Sequence, residues 1–465
     1  MLSAISMLRF GTDGVRGVAL TELTTDMVRD LGRAVARVLV PDAICIGRDT
    51  RESGVEFERA LVAGITAEGV TASVVGVAPT PAIAYLCEKH AMAGVAITAS
   101  HNPWQDNGIK VFAAGGQKLS DAQQVEIERV WHAMVNDDAA PRGGTRRVQP
   151  ELVNEYVAHC VEVVGRGALT GLRVVVDCAN GAMSDVAPAA FAAAGADAVV
   201  VNASPNGRNI NDGCGAMHPS GLVALIAEHG ADFGIAFDGD GDRLIAVTPD
   251  GFEVDGDHLI AMAAVDLAER GLLRNRGVAV TVMTNLGFHR AMVAAGVDVV
   301  VTPVGDRSVL AAMEEHDLVL GGEQSGHIIY RAHATTGDGL LAALFLCEYL
   351  VRRGASSGDV ARSDGARKVS LGDVARGSMT RFPQVLVNVR TVTKVENPTQ
   401  VLEHAIAAAE AAVGNDGRVL VRASGTEPLI RIMVEAADAD LARDAAQSLA
   451  DAVIAVCGGE IDGGH

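Results

Sequence analysis

Short unbroken runs of Val, Ile and Ala recur along the chain, each followed by a longer stretch with helical spacing. "AICIGRD", "AGVAITAS", "LRVVVDCANG", "ADAVVVNA", "DFGIAFDGDGD", "GVAVTVMTN", "VDVVVTPVG" and "LVLGGEQSG" are such runs. A strand with one wet face alternates apolar and polar residues. A strand that is apolar throughout needs cover on both faces. Alternation of such strands with helices predicts an α/β plan with mixed sheets between helical layers. In open sheets of this kind ligands gather beyond the carboxyl ends of the strands. Three of the runs end in a loop rich in Gly, Ser and Asp, at Ser100, at Asp238 and at Gly321. Three α/β domains, each offering one loop, are therefore expected.

The chain has 465 residues, room for three or four domains of about 100–200 residues each. Two polar, Gly-rich stretches read as linkers: "VNDDAAPRGGTRRVQPE" from Val135 to Glu151, and the segment from Ser356 to Gln384. After the second, "VLVNVRTV", a helical "PTQVLEHAIAAAEAAV" and "RVLVRASGTEPLIRIMVEA" predict a smaller α+β domain with a fourth loop at Arg422 to Thr426. The expected divisions are 1–150, 151–252, 253–365 and 366–465.

Hydrophobic residues make up 49% of the chain, enough for several cores and too many for a disordered chain. No apolar run reaches the ~18 residues of a membrane helix; "GLLAALFLCEYLV" is broken by Glu348. "MLSAISMLRF" meets Arg9 too early for a secretory signal. The seven cysteines are scattered with no C-x-x-C pair, the pattern of reduced thiols in a cytoplasm. A net charge of −20 argues against nucleic acid and anionic membranes as partners. It also sets a condition: an anionic substrate needs a local cluster of Arg and Lys.

The loop "FDGDGDR" sets Asp238, Asp240 and Asp242 around Gly239 and Gly241. Three carboxylates this close repel one another unless a cation compensates them, and glycine lets the backbone turn all three inward. An oxygen-only ligand set suits Mg2+ or another hard divalent ion. An EF-hand is excluded, since its sixth and twelfth positions, Gly and Glu, are Arg243 and Pro249 here. The competing reading is a solvated Asp-Gly turn.

Ser100 stands in "ITASHNPW". The G-x-S-x-G elbow is absent, because Thr98 and Asn102 flank it. His101 is adjacent, and neighbours on an extended segment point apart, so a Ser-His-Asp triad is not expected. A serine carrying a phosphoryl group beside a three-Asp cation site fits the company better; alone, this serine reads as a helix cap or turn residue. Lys110 in "DNGIKVF", and Arg9 and Arg16 in "RFGTDGVRG", are candidates to line an anionic pocket. "GGEQSGHII" offers Glu323 and Ser325 for sugar hydroxyls. "RASGTEPLIR" gathers Arg422, Ser424, Gly425, Thr426 and Arg431, the donors that hold a phosphate. The histidines show no metal spacing.

"TASHNP", "DGDGDR", "GEQSGH" and "RASGTEP", in this order and spacing, resemble the four signature loops of the α-D-phosphohexomutases over essentially the whole chain. "FGTDGVRG", "PTPAIAYL", "NINDGCG" and "GGEQSGHII" are similar to those of members acting on glucosamine phosphates. The resemblance implies four domains around a central cleft, three related mixed α/β domains and a C-terminal TBP-like α+β domain. It implies that phosphorylated Ser100 interconverts glucosamine 6-phosphate and glucosamine 1-phosphate through glucosamine 1,6-bisphosphate. One Mg2+ per chain would sit on Ser100, Asp238, Asp240 and Asp242. Glu323, Ser325, His327 and Arg243 would contact the sugar phosphate, and Arg422, Ser424, Gly425, Thr426 and Arg431 its non-transferring phosphate. Lys110 would be the general base, with His101 and Arg16 in support. The implied partner is a small phosphosugar, with no nucleic acid or membrane, in a monomer or homodimer. Ala423, where many members have Lys, and "CGAMHP" in place of "CGSTHP" depart from the pattern. Glucose or mannose phosphates as substrates, a Mg2+-dependent phosphatase and a binding protein without catalysis are the other readings.

Overall fold

The computed structural model describes residues 8–11, 14–134, 142–354, 370–424 and 427–462. The described residues form two compact units, one from 1–283 and 297–377, the other from 284–296 and 378–465.

The first unit holds three sheets between helices. The six-stranded sheet runs Val15–Val18, Asp106–Phe112, Ala93–Ile97, Ala43–Arg48, Thr71–Val77, Arg146–Val148. Its last four strands are parallel and its first two antiparallel to their neighbours. The second sheet runs Glu253–Val254, Leu244–Val247, Phe233–Phe237, Arg173–Asp177, Asp197–Val201, and the third Asp298–Thr302, Gly277–Thr281, Leu320–Gly322, Ile328–Tyr330. Ala93–Ile97 and Phe233–Phe237 are central and buried at every position, as their unbroken apolar sequences require. Asp238 follows directly on the second of these strands, and Ser100 lies three residues beyond the first. Asp197–Val201 and Asp298–Thr302 are equally apolar in sequence but lie at sheet edges, and Val301 stays 48% exposed. Cover on both faces was expected there; composition alone does not separate a central strand from an edge strand.

Both linker readings need correction at their C-terminal ends; residues 135–141 and 355–369 lie outside the described residues. In the first stretch, Arg146–Val148 pairs in parallel with Thr71–Val77 as the sixth strand of the sheet. It is short, basic and exposed, so it carries no apolar signal. In the second, Leu371–Ser378 is a helix whose Leu371 and Ala375 are buried, with Arg376 stacked 4.5 Å from the Phe252 ring centroid.

The second unit has an antiparallel sheet in the order Arg418–Ala423, Leu429–Glu435, Gln384–Arg390, Glu460–Ile461. Helices Glu403–Val413 and Ala439–Cys457 share its core, so the expected α+β plan is present. The helix Leu286–Ala294 also belongs to this unit. Asn285 at its N-terminus accepts from Phe382 N at 2.9 Å, and buried Glu435 accepts from Leu286 N at 3.1 Å and from Arg418 Nε at 2.7 Å.

Candidate active site

Ser100 sits in the turn after Ala93–Ile97 with φ at +52°, a left-handed conformation that is costly for a residue with a Cβ. It is 1% exposed. Its Oγ donates to Asp238 Oδ2 at 2.6 Å and lies 3.2 Å from His101 Nδ1. With the hydroxyl proton on Asp238, His101 meets Oγ as a donor only in the tautomer protonated on Nδ1. The expectation that these two neighbours point apart fails, because Ser100 is not extended and the two-residue alternation of strands does not apply. No triad results, since the carboxylate holds the serine and not the histidine. Burial, then the charges of Arg243 and Arg16, lower the His101 ring to about 4, so it is neutral near pH 7.

The aspartate loop crosses to the serine loop at close range. A Cβ on Gly239 would lie 2.6 Å from Ser100 O, and Gly241 turns at φ +72°, so both glycines are structural requirements. Asp238, Asp240 and Asp242 are all buried, each with a ligand oxygen within 4.8 Å of the others'. Lys110, buried on Asp106–Phe112, reaches Asp240 Oδ2 at 2.9 Å and Asp242 Oδ2 at 3.0 Å. Arg243 N donates to Asp238 Oδ1 at 3.2 Å, and its guanidinium lies 3.9 Å from Asp242.

This donor set fits a hard divalent cation. Asp240 Oδ1 and Asp242 Oδ1 are buried without a hydrogen-bond partner among the described residues. Such oxygens cost free energy until something coordinates them. Burial and the charges of Asp242 and Asp240 push the Asp238 carboxyl well above its ordinary range. Burial would raise Asp242 too, but Lys110, His327 and Arg243 outweigh it and hold Asp242 well below that range.

The sugar loop is tied to the aspartate loop. Leu244 N donates to Gly326 O at 3.0 Å, and a Cβ on Gly326 would fall 2.1 Å from Leu244 O. Glu323 Oε1 accepts from Gly305 N at 3.1 Å, while Ser325 is exposed. His327 is buried, with Nδ1 3.7 Å from Asp242 Oδ1 and Nε2 accepting from Gly337 N at 3.1 Å. Burial would lower this ring; Asp242, Asp306 and Glu323 lift it to about 8 instead.

The phosphate loop belongs to the second unit. Arg422 and Arg431 face each other across the Arg418–Ala423 and Leu429–Glu435 pairing. Like charges directly opposite destabilise a sheet. Among the described residues no carboxylate pairs with either, and burial followed by the Arg431 charge lowers Arg422. Ser424 is buried, its N donating to Leu429 O at 2.7 Å and its Oγ 3.4 Å from Glu427 N. An anion would relieve this pair of arginines. Gly425 and Thr426 lie outside the described residues.

Within the first unit, then, Ser100, His101, Lys110, Asp238, Asp240, Asp242, Arg243 and His327 come together, with the charge of Arg16 acting on His101. Sequence reasoning missed Thr80, whose Oγ1 donates to Asp240 Oδ2 at 2.5 Å and whose N donates to Asp240 O at 2.9 Å. It also missed Arg51, buried beneath the serine loop, and Gly305, which holds Glu323. "PTPAIAYL" and "GRDTRESG" carry Thr80 and Arg51 with no chemical signal of their own.

Models of the phosphoglucomutase/phosphomannomutase family match along the chain: alpha/beta/alpha domain I over residues 7–136, domain II over 154–251, domain III over 255–366 and the C-terminal domain over 386–452. The chain belongs to this family. It is 48% identical over 461 residues to the phosphoglucosamine mutase of Frankia casuarinae, with 96% of this chain and 97% of that one covered. It is 45% identical over 457 residues to the phosphoglucosamine mutase of Rhodococcus jostii, covering 96% and 99%. Among solved structures, a phosphoglucomutase/phosphomannomutase family protein from Burkholderia thailandensis shares the fold with a TM-score of 0.79 at 24% identity, covering 99% of this chain and all of that one. Aspergillus fumigatus N-acetylphosphoglucosamine mutase, solved with GlcNAc-6P and magnesium, shares it with a TM-score of 0.65 at 18% identity, covering 98% and 97%.

Proposed function

We propose that this chain is an isomerase that interconverts glucosamine 6-phosphate and glucosamine 1-phosphate, with Ser100 as the phosphoryl carrier. The observation that carries the reading is the 2.6 Å contact of Ser100 Oγ with Asp238, inside a buried three-Asp cluster whose oxygens call for a cation. The match at 45–48% identity to phosphoglucosamine mutases supports the amino sugar as substrate. Mg2+ on Asp238, Asp240 and Asp242 would supply the positive charge that stabilises phosphoryl transfer.

In the forward direction the phosphoserine P–Oγ bond breaks as a bond forms from phosphorus to the sugar O1. Lys110, once it has released a proton from its pairing with Asp240 and Asp242, is the proposed acceptor of the O1 proton, with His101 in support. The resulting 1,6-bisphosphate presents its other end, the 6-phosphate returns to Ser100 Oγ, and O6 regains the proton. Glu323, Ser325 and His327 are the proposed sugar contacts, with Arg243 and Arg16 on the transferring phosphate. Arg422, Ser424, Gly425, Thr426 and Arg431 are the proposed holders of a phosphate. The division into 1–150, 151–252, 253–365 and 366–465, a cytoplasmic location and a monomer or homodimer complete the reading. Six buried cysteines, all free, support the reducing compartment. Among the described residues no helix is long and apolar enough to cross a membrane.

The test is turnover of Ser100-phosphorylated protein with Mg2+, offered glucosamine 6-phosphate beside glucose and mannose 1-phosphates. Clear preference for the glucosamine phosphate is expected. Equal use of the other sugars would replace the substrate, and release of inorganic phosphate without isomer would replace the reaction.

A further inference from the structure

Ser100 is held from both sides of its peptide. Its N–H donates to Thr98 Oγ1 at 2.9 Å, and Thr98 Oγ1 donates in turn to Asp49 Oδ2 at 2.7 Å. Its carbonyl accepts from Arg51 Nη2 at 2.9 Å and from Asn211 Nδ2 at 2.9 Å. Arg51 is fully buried, an unusual place for a guanidinium. Its Nε pairs with Asp49 Oδ2 at 2.8 Å. Nη2 also donates to Asn102 O at 2.8 Å, and Nη1 to Asp106 O at 3.0 Å and to Pro103 O. A guanidinium has five N–H donors. All five are used here, four of them on backbone carbonyls between residues 100 and 106, and the charge is balanced by one carboxylate.

We infer that Arg51 is the positioning residue that holds Ser100 in its reactive orientation, acting through the Ser100 backbone with Asp49 and Thr98. The inference rests on the proposed phosphoryl transfer at Ser100. A serine at φ +52° is strained and persists only where its surroundings over-determine it. Relaxed to an extended form, the side chain would turn to the other side of the chain, away from Asp238. Arg51 touches none of the reacting atoms. Its fixed fork cannot be copied by lysine, which has three donors and no planar geometry.

The experiment compares Arg51→Lys with Thr98→Val, a near-isosteric change that breaks the same network at the Ser100 N–H. Each is assayed for kcat and KM, for the rate at which glucosamine 1,6-bisphosphate phosphorylates Ser100 (followed by intact mass), and for the rise in Tm on adding Mg2+. Displacing a reacting atom by about 1 Å costs about 10²-fold. We expect Arg51→Lys to lose about that much in both kcat and phosphorylation rate, and Thr98→Val about 10-fold, with KM within about 3-fold of wild type. The Mg2+ response should survive in both, because the aspartates are untouched. Phosphorylation rates within about 2-fold of wild type in both variants would overturn the inference, as would loss of the Mg2+ response in step with activity, which is the mark of a general structural defect. If Arg51→Lys does not fold, Thr98→Val decides by the same criteria. Wild type is run alongside: absence of isomer from wild type sinks the proposed function, whereas an active wild type with indifferent variants sinks only the role of Arg51.

Discussion

Ser100 Oγ and Asp238 Oδ2 meet at 2.6 Å although 138 residues separate them in the chain. Each lies within three residues of the end of a fully buried strand, in a different sheet of the same unit. The contact makes two loops into one site. It also makes the serine hydroxyl a donor to a carboxylate that burial keeps well above its ordinary titration range.

Removing that hydroxyl separates chemistry from binding. Ser100→Ala should lose turnover by about 10³-fold or more. Phosphosugar binding measured by calorimetry should be nearly unchanged, and intact mass should show no phosphate. Turnover near the wild-type rate would end the phosphoserine mechanism.

Metal binding should be visible as stability. Saturating Mg2+ at about 100 times its Kd should stabilise the wild type by about 2.7 kcal/mol, and chelation should reverse the effect. Asp238 is raised in the folded state, so its charge opposes folding above the ordinary carboxyl range. Asp238→Asn should therefore raise the metal-free Tm at pH 7 and lose most of the Mg2+ response. A wild-type Tm indifferent to Mg2+ would remove the cation from the site.

The arginines of the second unit make the opposite kind of prediction. Arg422→Ala should raise KM for the phosphosugar by about 10–100-fold, the value of one charged hydrogen bond. It should not lower Tm, because it relieves the Arg422–Arg431 repulsion across the strands. An unchanged KM would remove Arg422 from substrate binding.

A fourth prediction concerns pH. Asp338 is fully buried where it caps the helix Gly339–Arg352, accepting from Tyr156 Oη at 2.7 Å and from Leu341 N at 2.9 Å. Burial outweighs these bonds and raises its carboxyl to about 6. A carboxyl raised on folding contributes its full stability below the unfolded value and loses it as pH rises through the folded one. The wild type should thus lose about 3 kcal/mol from this group between about pH 4 and pH 7. Asp338→Asn keeps both acceptor contacts, so its Tm should converge on wild type only below about pH 4 and exceed it at pH 7. Parallel pH profiles for the two proteins would show that Asp338 is not the group.

The chemistry of the site was legible because it is written locally. Three aspartates around two glycines, and a serine after an unbroken apolar strand, announce themselves in a few residues each. Arg146–Val148 was not legible as a strand, because an exposed edge strand of three residues buries nothing that would show as a pattern. Thr80 and Arg51 were not legible as site residues, because a threonine at a helix start and an arginine in a turn are common everywhere.

Local pattern thus determined the strands, the order of the loops and the ligand types they carry, since side-chain period and glycine freedom act over a few residues. Tertiary structure alone decided the rest. It made a neighbour of His101 out of a serine that should have faced away, because the turn is left-handed at Ser100. It set Lys110 between Asp240 and Asp242 and the helix Leu286–Ala294 against Glu435. These contacts depend on how packed elements meet in space, and no short-range period encodes that.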